Sequence, residues 1–141
     1  MRTINQVSSG GIVYKKVGDQ ILWLITQHSQ HKGWVFPKGL VGDNNKNESK
    51  EIAALREVEE EGGVKAKIVN DKPIVTNYEY KWQSDLIKKT VYYYLMEYVS
   101  GDPKDHDWEM MDGKFAPADV VKKTLTYGSD KVAFEKIIQG L

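Results

Sequence analysis

Cysteine is absent from the 141-residue chain. That excludes a disulfide scaffold, thiolate zinc sites, iron–sulfur clusters and a cysteine nucleophile, and it suits a reducing cytoplasm. Proline is scarce, at 4 residues, and no Pro/Gly/Ser linker or internal repeat divides the chain, so a single domain spanning 1–141 is expected. Excess charge of either sign is also lacking: 20 basic and 20 acidic residues cancel. A net charge of zero argues against bulk electrostatic binding to duplex nucleic acid or to an anionic membrane. Any anionic substrate must therefore be held by local positive charge or by metal. The longest apolar run, Ile21 to Ile25, is far too short to span a bilayer, and the opening Met1-Arg2-Thr3-Ile4-Asn5-Gln6 has no apolar signal core. What is present is ordinary globular material, 40% hydrophobic and 28% charged.

Alternation predicts strands over 7–16 and 20–27, joined by a turn at Gly18-Asp19. Trp34 to Phe36 reads as a short strand ending at Pro37, and 38–47 as a loop rich in Gly, Asn and Asp. A helix is expected from Glu48 to Gly62, capped by Asn47 or Ser49 and ended by Gly62-Gly63. Further strands are expected over 64–69, 74–82, 85–99 and 108–116, then two short helices, one starting near Pro117 and one after Ser129-Asp130. Trp108, Phe115 and Phe134 read as core. This order of elements predicts an α/β fold with a mixed sheet between helical layers.

The helix breaks a stability rule. Leu55, Val58 and Gly62 form its expected core face, with Ile52 near the edge. Glu57, Glu60 and Glu61 stand at i, i+3 and i+4, roughly opposite. At about 6 Å and an effective dielectric near 20, each carboxylate pair costs roughly 3 kcal/mol before screening. These acids also lie in the last turn, where the helix dipole already favours cations. A solvated acidic face is the ordinary explanation. A hard divalent cation is the other, since carboxylate oxygens suit magnesium or manganese beside substrate phosphates.

The segment resembles the signature of the Nudix hydrolases: Gly, five residues, Glu, seven residues, Arg-Glu, an aliphatic, any residue, Glu-Glu, any residue, Gly, an aliphatic. Gly42, Glu48, Arg56, Glu57, Val58, Glu60, Glu61, Gly63 and Val64 match every specified position. The turn Pro37-Lys38-Gly39 also resembles the family's, but Gly39 lies three residues early for the spacing. Either Gly39 or Gly42 is then the source of the metal-facing carbonyl, with Gly39 favoured, and the box runs from about 39 to 64. Ser9 to Tyr14 looks like the family's opening strand, and Trp34 to Gly39, Lys89 to Leu95 and Trp108-Glu109 look most like the asymmetrical diadenosine tetraphosphate hydrolases.

The resemblance implies a Nudix-type α/β/α sandwich and metal-dependent attack of water on a nucleoside diphosphate linked to another group. The leading expectation is hydrolysis of diadenosine tetraphosphate to ATP and AMP. A nucleoside triphosphate pyrophosphatase, an RNA 5′-pyrophosphohydrolase, a diphosphoinositol polyphosphate phosphatase and a noncatalytic ligand sensor are the alternatives. It implies Mg²⁺, with Mn²⁺ able to substitute, held by Glu57, Glu60, Glu61, Gly39 and Glu109. Glu57, Glu60 and Glu109 are the implied catalytic acids, with Glu57 and Glu109 the candidates for base. Arg56 is implied to steady the box by pairing with Glu48. Lys38, Lys89 and His31 are candidate phosphate contacts. Lys88 points to the opposite face from Lys89. Tyr80, Trp82 and Tyr93 are candidate platforms for a base, because aromatic stacking is worth roughly 1–3 kcal/mol per base. The expected partner is a small nucleotide, with no duplex nucleic acid and no membrane, for a cytoplasmic monomer or weak homodimer.

Overall fold

A computed structural model describes residues 1–42 and 45–140. Its eight strands form one mixed sheet. The strands are β1 (Arg2–Val17), β2 (Gln20–His28), β3 (Trp34–Val35), β4 (Lys38–Leu40), β5 (Val64–Ile68), β6 (Ile74–Trp82), β7 (Asp85–Gly101) and β8 (Met110–Pro117). The helices are α1 (Lys50–Gly62), α2 (Ala118–Thr124) and α3 (Gly128–Gln139), with a short 3₁₀ turn at Pro103–Asp105. The two long strands β1 and β7 run parallel, in register from Arg2–Asp85 to Tyr14–Glu97. The remaining pairings are antiparallel: β2 and β4 on β1, β5 and β6 on β7, β3 and β8 on β2.

Alternation along these strands sorts side chains into two cores, one on each face of the sheet. Ile12, Trp23, Ile25, Val91 and Tyr93 pack with Val121, Leu125, Phe134 and Ile137 of α2, α3 and the segment between them. Their strand neighbours Val13, Leu24, Tyr94 and Met96 pack with Ala54 and Val58 of α1. The expected α/β/α sandwich is therefore the observed architecture.

Four expectations need correction. First, β1 starts at Arg2 rather than Val7, because its first residues pair with β7 and Arg2 Nη2 meets Asp85 Oδ2 at 2.8 Å. Second, Lys38, Gly39 and Leu40 are a strand and not loop: weak strand formers are held in place by pairing with Ser8, Ser9 and Gly10 of β1. The rest of the expected loop includes Asp43 and Asn44, which lie outside the described residues. Third, α1 starts at Lys50, capped by Ser49, whose Oγ accepts the Ile52 N–H at 3.1 Å. It ends at Gly63, whose φ of 73° lets its N–H reach the Glu59 carbonyl. Ala53, Ala54, Val58 and Gly62 are its buried apolar residues, Leu55 is half-buried, and Ile52 faces outward. Fourth, Trp108 is 81% exposed and not core. It sits in the turn before β8, and Met110, the first residue of that strand, takes the buried position instead. Phe134 is fully buried, while Phe115 packs at the margin of the α1 core.

Candidate active site

The last two turns of α1 carry the chemistry. Glu57 and Glu61 are only 5% and 7% exposed, whereas the Glu60 side chain stays well exposed. A helical wheel puts all three roughly opposite the core face. The turn at Pro37-Lys38-Gly39 covers that side, because β4 is pinned to β1 and lies across the helix. Gly39 is required there: a Cβ on it would collide with the Glu57 carboxylate. The Lys38 backbone N–H donates to Glu61 Oε1 at 3.2 Å. Gly42 has a different task, donating its N–H to Glu48 Oε1 at 3.2 Å. Of the two glycines, Gly39 is the one in contact range of an α1 acid.

Arg56 ties the cluster together. Nε and Nη2 grip Glu48 as a fork, at 2.7 and 3.0 Å. Nη1 donates to Glu57 Oε1 at 2.6 Å and to Glu60 Oε2 at 3.1 Å, and Nη2 reaches the Leu40 carbonyl at 3.3 Å. The fork onto Glu48 holds that carboxyl below its ordinary range and the guanidinium far above its own. Arg56 does not neutralise everything. Burial pushes Glu57 up to about 7, against the pull of Arg56, with Glu60 and Glu109 adding repulsion. Burial pushes Glu61 up to about 8, with Glu57 adding repulsion. Two sequestered carboxyls that resist ionisation describe a site short of positive charge.

Glu109 comes from the turn before β8. The turn bearing it is docked on α1 by the Asp107 N–H, which donates to the Glu60 carbonyl at 2.8 Å. The Glu109 N–H donates to Asp107 Oδ1 at 3.1 Å. The Glu109 carbonyl accepts both the N–H and the hydroxyl of Ser29, at 3.0 and 2.8 Å, which joins this turn to the His31 loop. The Glu109 charge raises both Glu57 and Glu61. Among the described residues no three acidic or imidazole side chains already converge as a metal-ligand set, and Arg56 Nη1 holds two of the acids. By donor type, all oxygen, and by uncompensated burial, the acidic cluster fits a hard divalent cation.

Gly39, Glu57, Glu60, Glu61 and Glu109 line a cleft of about 690 Å³ together with Lys38, Lys89 and His31. Burial lowers the Lys89 ammonium, with Lys38 adding repulsion and Glu61 and Glu57 opposing. Lys88 points outward toward Glu79 instead. His31 stacks on His28, ring centroids 4.4 Å apart, and its Nδ1 accepts the Gly33 N–H at 3.0 Å and lies 2.9 Å from the Tyr127 hydroxyl. Burial lowers His31, with His28 and Lys38 adding repulsion.

Aromatic residues complete the cleft and were only partly anticipated. Tyr80 and Trp82 line it as expected, and both are substantially exposed. Tyr93 does not: it is 1% exposed in the α3-side core, with its hydroxyl donating to Asp130 Oδ1 at 2.7 Å, so it is no platform. Tyr78 was missed, although it shares a strand face with Tyr80 and Trp82, and its ring lies 6.2 Å from that of Tyr80. A second cavity of about 890 Å³ adjoins the cleft, sharing His31, Lys38, Tyr78 and Tyr80, and extends between β6 and the start of α3 past Thr76, Tyr127 and Asp130. Nothing in the chain order marked Tyr127 or Asp130 as belonging here.

The NUDIX domain family matches residues 5–135. The chain belongs to that family. Among curated proteins it is similar to a Mycobacterium tuberculosis protein that carries the mutator-protein name MutT4, with 27% identity over 137 residues. That match covers 93% of this NUDIX chain and 54% of the relative, so the chain spans about half of the relative's length. Among solved structures it resembles a Caenorhabditis elegans Ap4A hydrolase in a binary complex, at 22% identity and a TM-score of 0.66, covering 96% of this chain and 99% of that one. It also resembles the Escherichia coli dihydroneopterin triphosphate pyrophosphohydrolase, at 15% identity and a TM-score of 0.73, covering 98% and 99%. At these identities the two structures establish the NUDIX fold and leave the substrate open.

Proposed function

We propose that residues 1–141 act as one Nudix hydrolase domain that cleaves a phosphoanhydride bond in a nucleoside diphosphate linked to another group, with diadenosine tetraphosphate giving ATP and AMP. The observation that carries this reading is the junction of the acidic cleft with the aromatic cavity through Lys38, His31, Tyr78 and Tyr80. A chain of phosphates lying on the cleft has flat surfaces at Trp82 in the cleft and at Tyr78 and Tyr127 in the adjoining cavity. A substrate with a planar base at each end uses both; a lone nucleoside triphosphate uses one.

Glu57, Glu60, Glu61 and the Gly39 carbonyl would hold Mg²⁺, or Mn²⁺ in its place, with Glu109 as a further ligand or as the base. Such an ion neutralises phosphate oxygens and acidifies a water. Arg56 keeps Glu57 and Glu60 oriented while gripping Glu48. Lys38, Lys89 and the His31 imidazole bind phosphate oxygens, and Tyr80 stacks on a base. The chain is read as a cytoplasmic monomer or weak homodimer that takes a free nucleotide.

The test is product analysis with magnesium over dinucleoside polyphosphates, nucleoside triphosphates, capped RNA and diphosphoinositols. ATP with AMP from diadenosine tetraphosphate, at the highest kcat/KM of the panel, is the expected result. Two molecules of ADP, or preference for another class, would overturn the substrate assignment; no hydrolysis of any member would overturn the activity.

A further inference from the structure

Strand β6 leaves one edge of the sheet open. It pairs with β7 along its whole length, from Ile74–Tyr93 to Trp82–Asp85, and with no other strand among the described residues. Its last four residues, Glu79 to Trp82, are all exposed. Long free edges invite pairing with another chain, and proteins guard them with proline, bulges or charge. β6 contains no proline, its register with β7 is unbroken, and its charged residues are Glu79 and Lys81. Lys81 has no acidic partner among the described residues, and Glu79 reaches only Lys88, at 4.0 Å.

Gln83 and Ser84 form a two-residue turn from β6 to β7, with Gln83 at φ 55°. Such a turn closes on a hydrogen-bonded pair, here Trp82 and Asp85, and bonded and non-bonded pairs alternate from there. Tyr78, Tyr80 and Trp82 therefore bond to β7, while Asn77, Glu79 and Lys81 turn their N–H and C=O to the free edge. A second copy of β6 can meet this edge antiparallel about a two-fold axis. With the axis at Tyr80, Glu79 opposes Lys81 on both sides, and each such pair exchanges both backbone hydrogen bonds. Moving the axis by one residue, to Glu79 or to Lys81, sets like charges directly opposite, which is destabilising. Charge thus selects the register centred on Tyr80. On the other face of the strand that register sets Tyr80, 41% exposed, against its own copy, and Trp82, 62% exposed, against Tyr78.

We propose that the free edge of β6 is a homodimer interface, in which two copies pair antiparallel about Tyr80 and continue one sheet across both. The occupant is a second copy because the edge complements itself in charge in that register. Tyr78 and Trp82 both line the acidic cleft, so Trp82 of each copy stands beside Tyr78 of the other and adds a flat ring to its cleft wall. The paired stretch, Tyr78 to Trp82, is short, which suits a weak and transient dimer. The inference selects the homodimer within the reading above and does not depend on which bond the protein cleaves.

The test is sedimentation equilibrium of the full chain. The wild type is expected to dimerise with a dissociation constant on the order of 100 µM, the strength of a small transient interface. Lys81→Glu and Glu79→Lys each set like charges opposite and should weaken the dimer at least about tenfold. The double variant Glu79→Lys/Lys81→Glu should restore it, because the exchanged charges meet again across the axis. A wild type still monomeric at about 1 mM would overturn the proposal. So would single reversals that leave the dimer intact, or a double variant no better than either single one. The absence of native cysteine allows a second readout that leaves both charges in place. Tyr80→Cys brings two thiols together at the axis, within disulfide range, whereas Ser84→Cys, on the exposed turn, keeps them far apart. Faster oxidation of Tyr80→Cys to a covalent dimer is the expected result; equal rates would overturn the proposal. Assembly is read without substrate. A monomer that hydrolyses diadenosine tetraphosphate would defeat this inference alone, and a dimer that hydrolyses nothing would defeat only the proposed activity.

Discussion

The acidic cleft and the aromatic cavity share a wall but are built on opposite principles. In the cleft, like charges are forced together and partly buried, and one guanidinium with five hydrogen bonds holds them in place. In the cavity, flat rings line an open volume, with Lys38, shared by both, at its edge toward the cleft. The first arrangement stores electrostatic repulsion that a bound cation would relieve; the second offers shape and a few directed contacts. Damage to the cleft should therefore appear in kcat, and damage to the aromatic surfaces in KM.

The largest effect is expected for Glu60→Gln, which keeps the shape of an exposed side chain and removes one charge from the proposed metal set. Turnover should fall by about 10²–10³-fold, the usual loss for one electrostatic group, with an unchanged circular dichroism spectrum. Near-normal turnover at saturating magnesium would break the comparison. Glu109→Gln should cost about 10²-fold, the lower end of acid–base help. A base role removes the acidic limb of the pH–rate profile, whereas a ligand role allows partial rescue by manganese. Full activity from about pH 6 to 9 would leave Glu57 as the base.

Tyr80→Ala should raise KM for diadenosine tetraphosphate about tenfold, from a stacking loss on the order of 1.4 kcal/mol, with little change for inorganic polyphosphate. Tyr93→Phe sharpens the contrast: it should leave KM for both substrates nearly unchanged and lower the melting temperature, because its hydroxyl serves the core.

The smallest expected effect is on stability. Glu57 and Glu61 bind protons more tightly folded, at about 7 and about 8, than the ordinary carboxyl value of 4.5. In the folded chain they hold protons that the unfolded chain has released, so metal-free stability falls as pH rises from about 5 to about 8. In chelator the melting temperature should drop on the order of 5 °C over that range. Magnesium or a Glu57→Gln/Glu61→Gln pair should flatten the slope; a rise in stability with pH would contradict the burial of these acids.

The fold was largely legible because its strands alternate cleanly: Tyr93 and Tyr94, or Trp23 and Leu24, separate into two cores by parity alone. The acid spacing on α1 was legible because it is local. What escaped depends on neighbours distant in the chain. A helical wheel shows where Glu57 and Glu61 point relative to α1, but not that the Pro37-Lys38-Gly39 turn lies over them. Alternation told Tyr93 from Tyr92, but not that α3 seals the face Tyr93 occupies. Trp108 looked like core because large aromatics usually are; its place in a turn docked through the Asp107 N–H leaves the ring outside. Asp130 reads as an ordinary first-turn acid until Tyr93 is found beneath it.

The parallel pairing of β1 with β7 has a kinetic consequence. Arg2 and Asp85 meet across 83 residues of sequence, and the same separation holds along their register. Such non-local pairing must overcome loop-closure entropy before it is rewarded, which slows folding. Gln6 on β1 and Lys89 on β7 are partners in that register, and both line the acidic cleft. The cleft therefore cannot form until β7 is available to pair with β1, and a nascent chain that has not yet released β7 from the ribosome contains the residues of α1 without a cleft in which to use them.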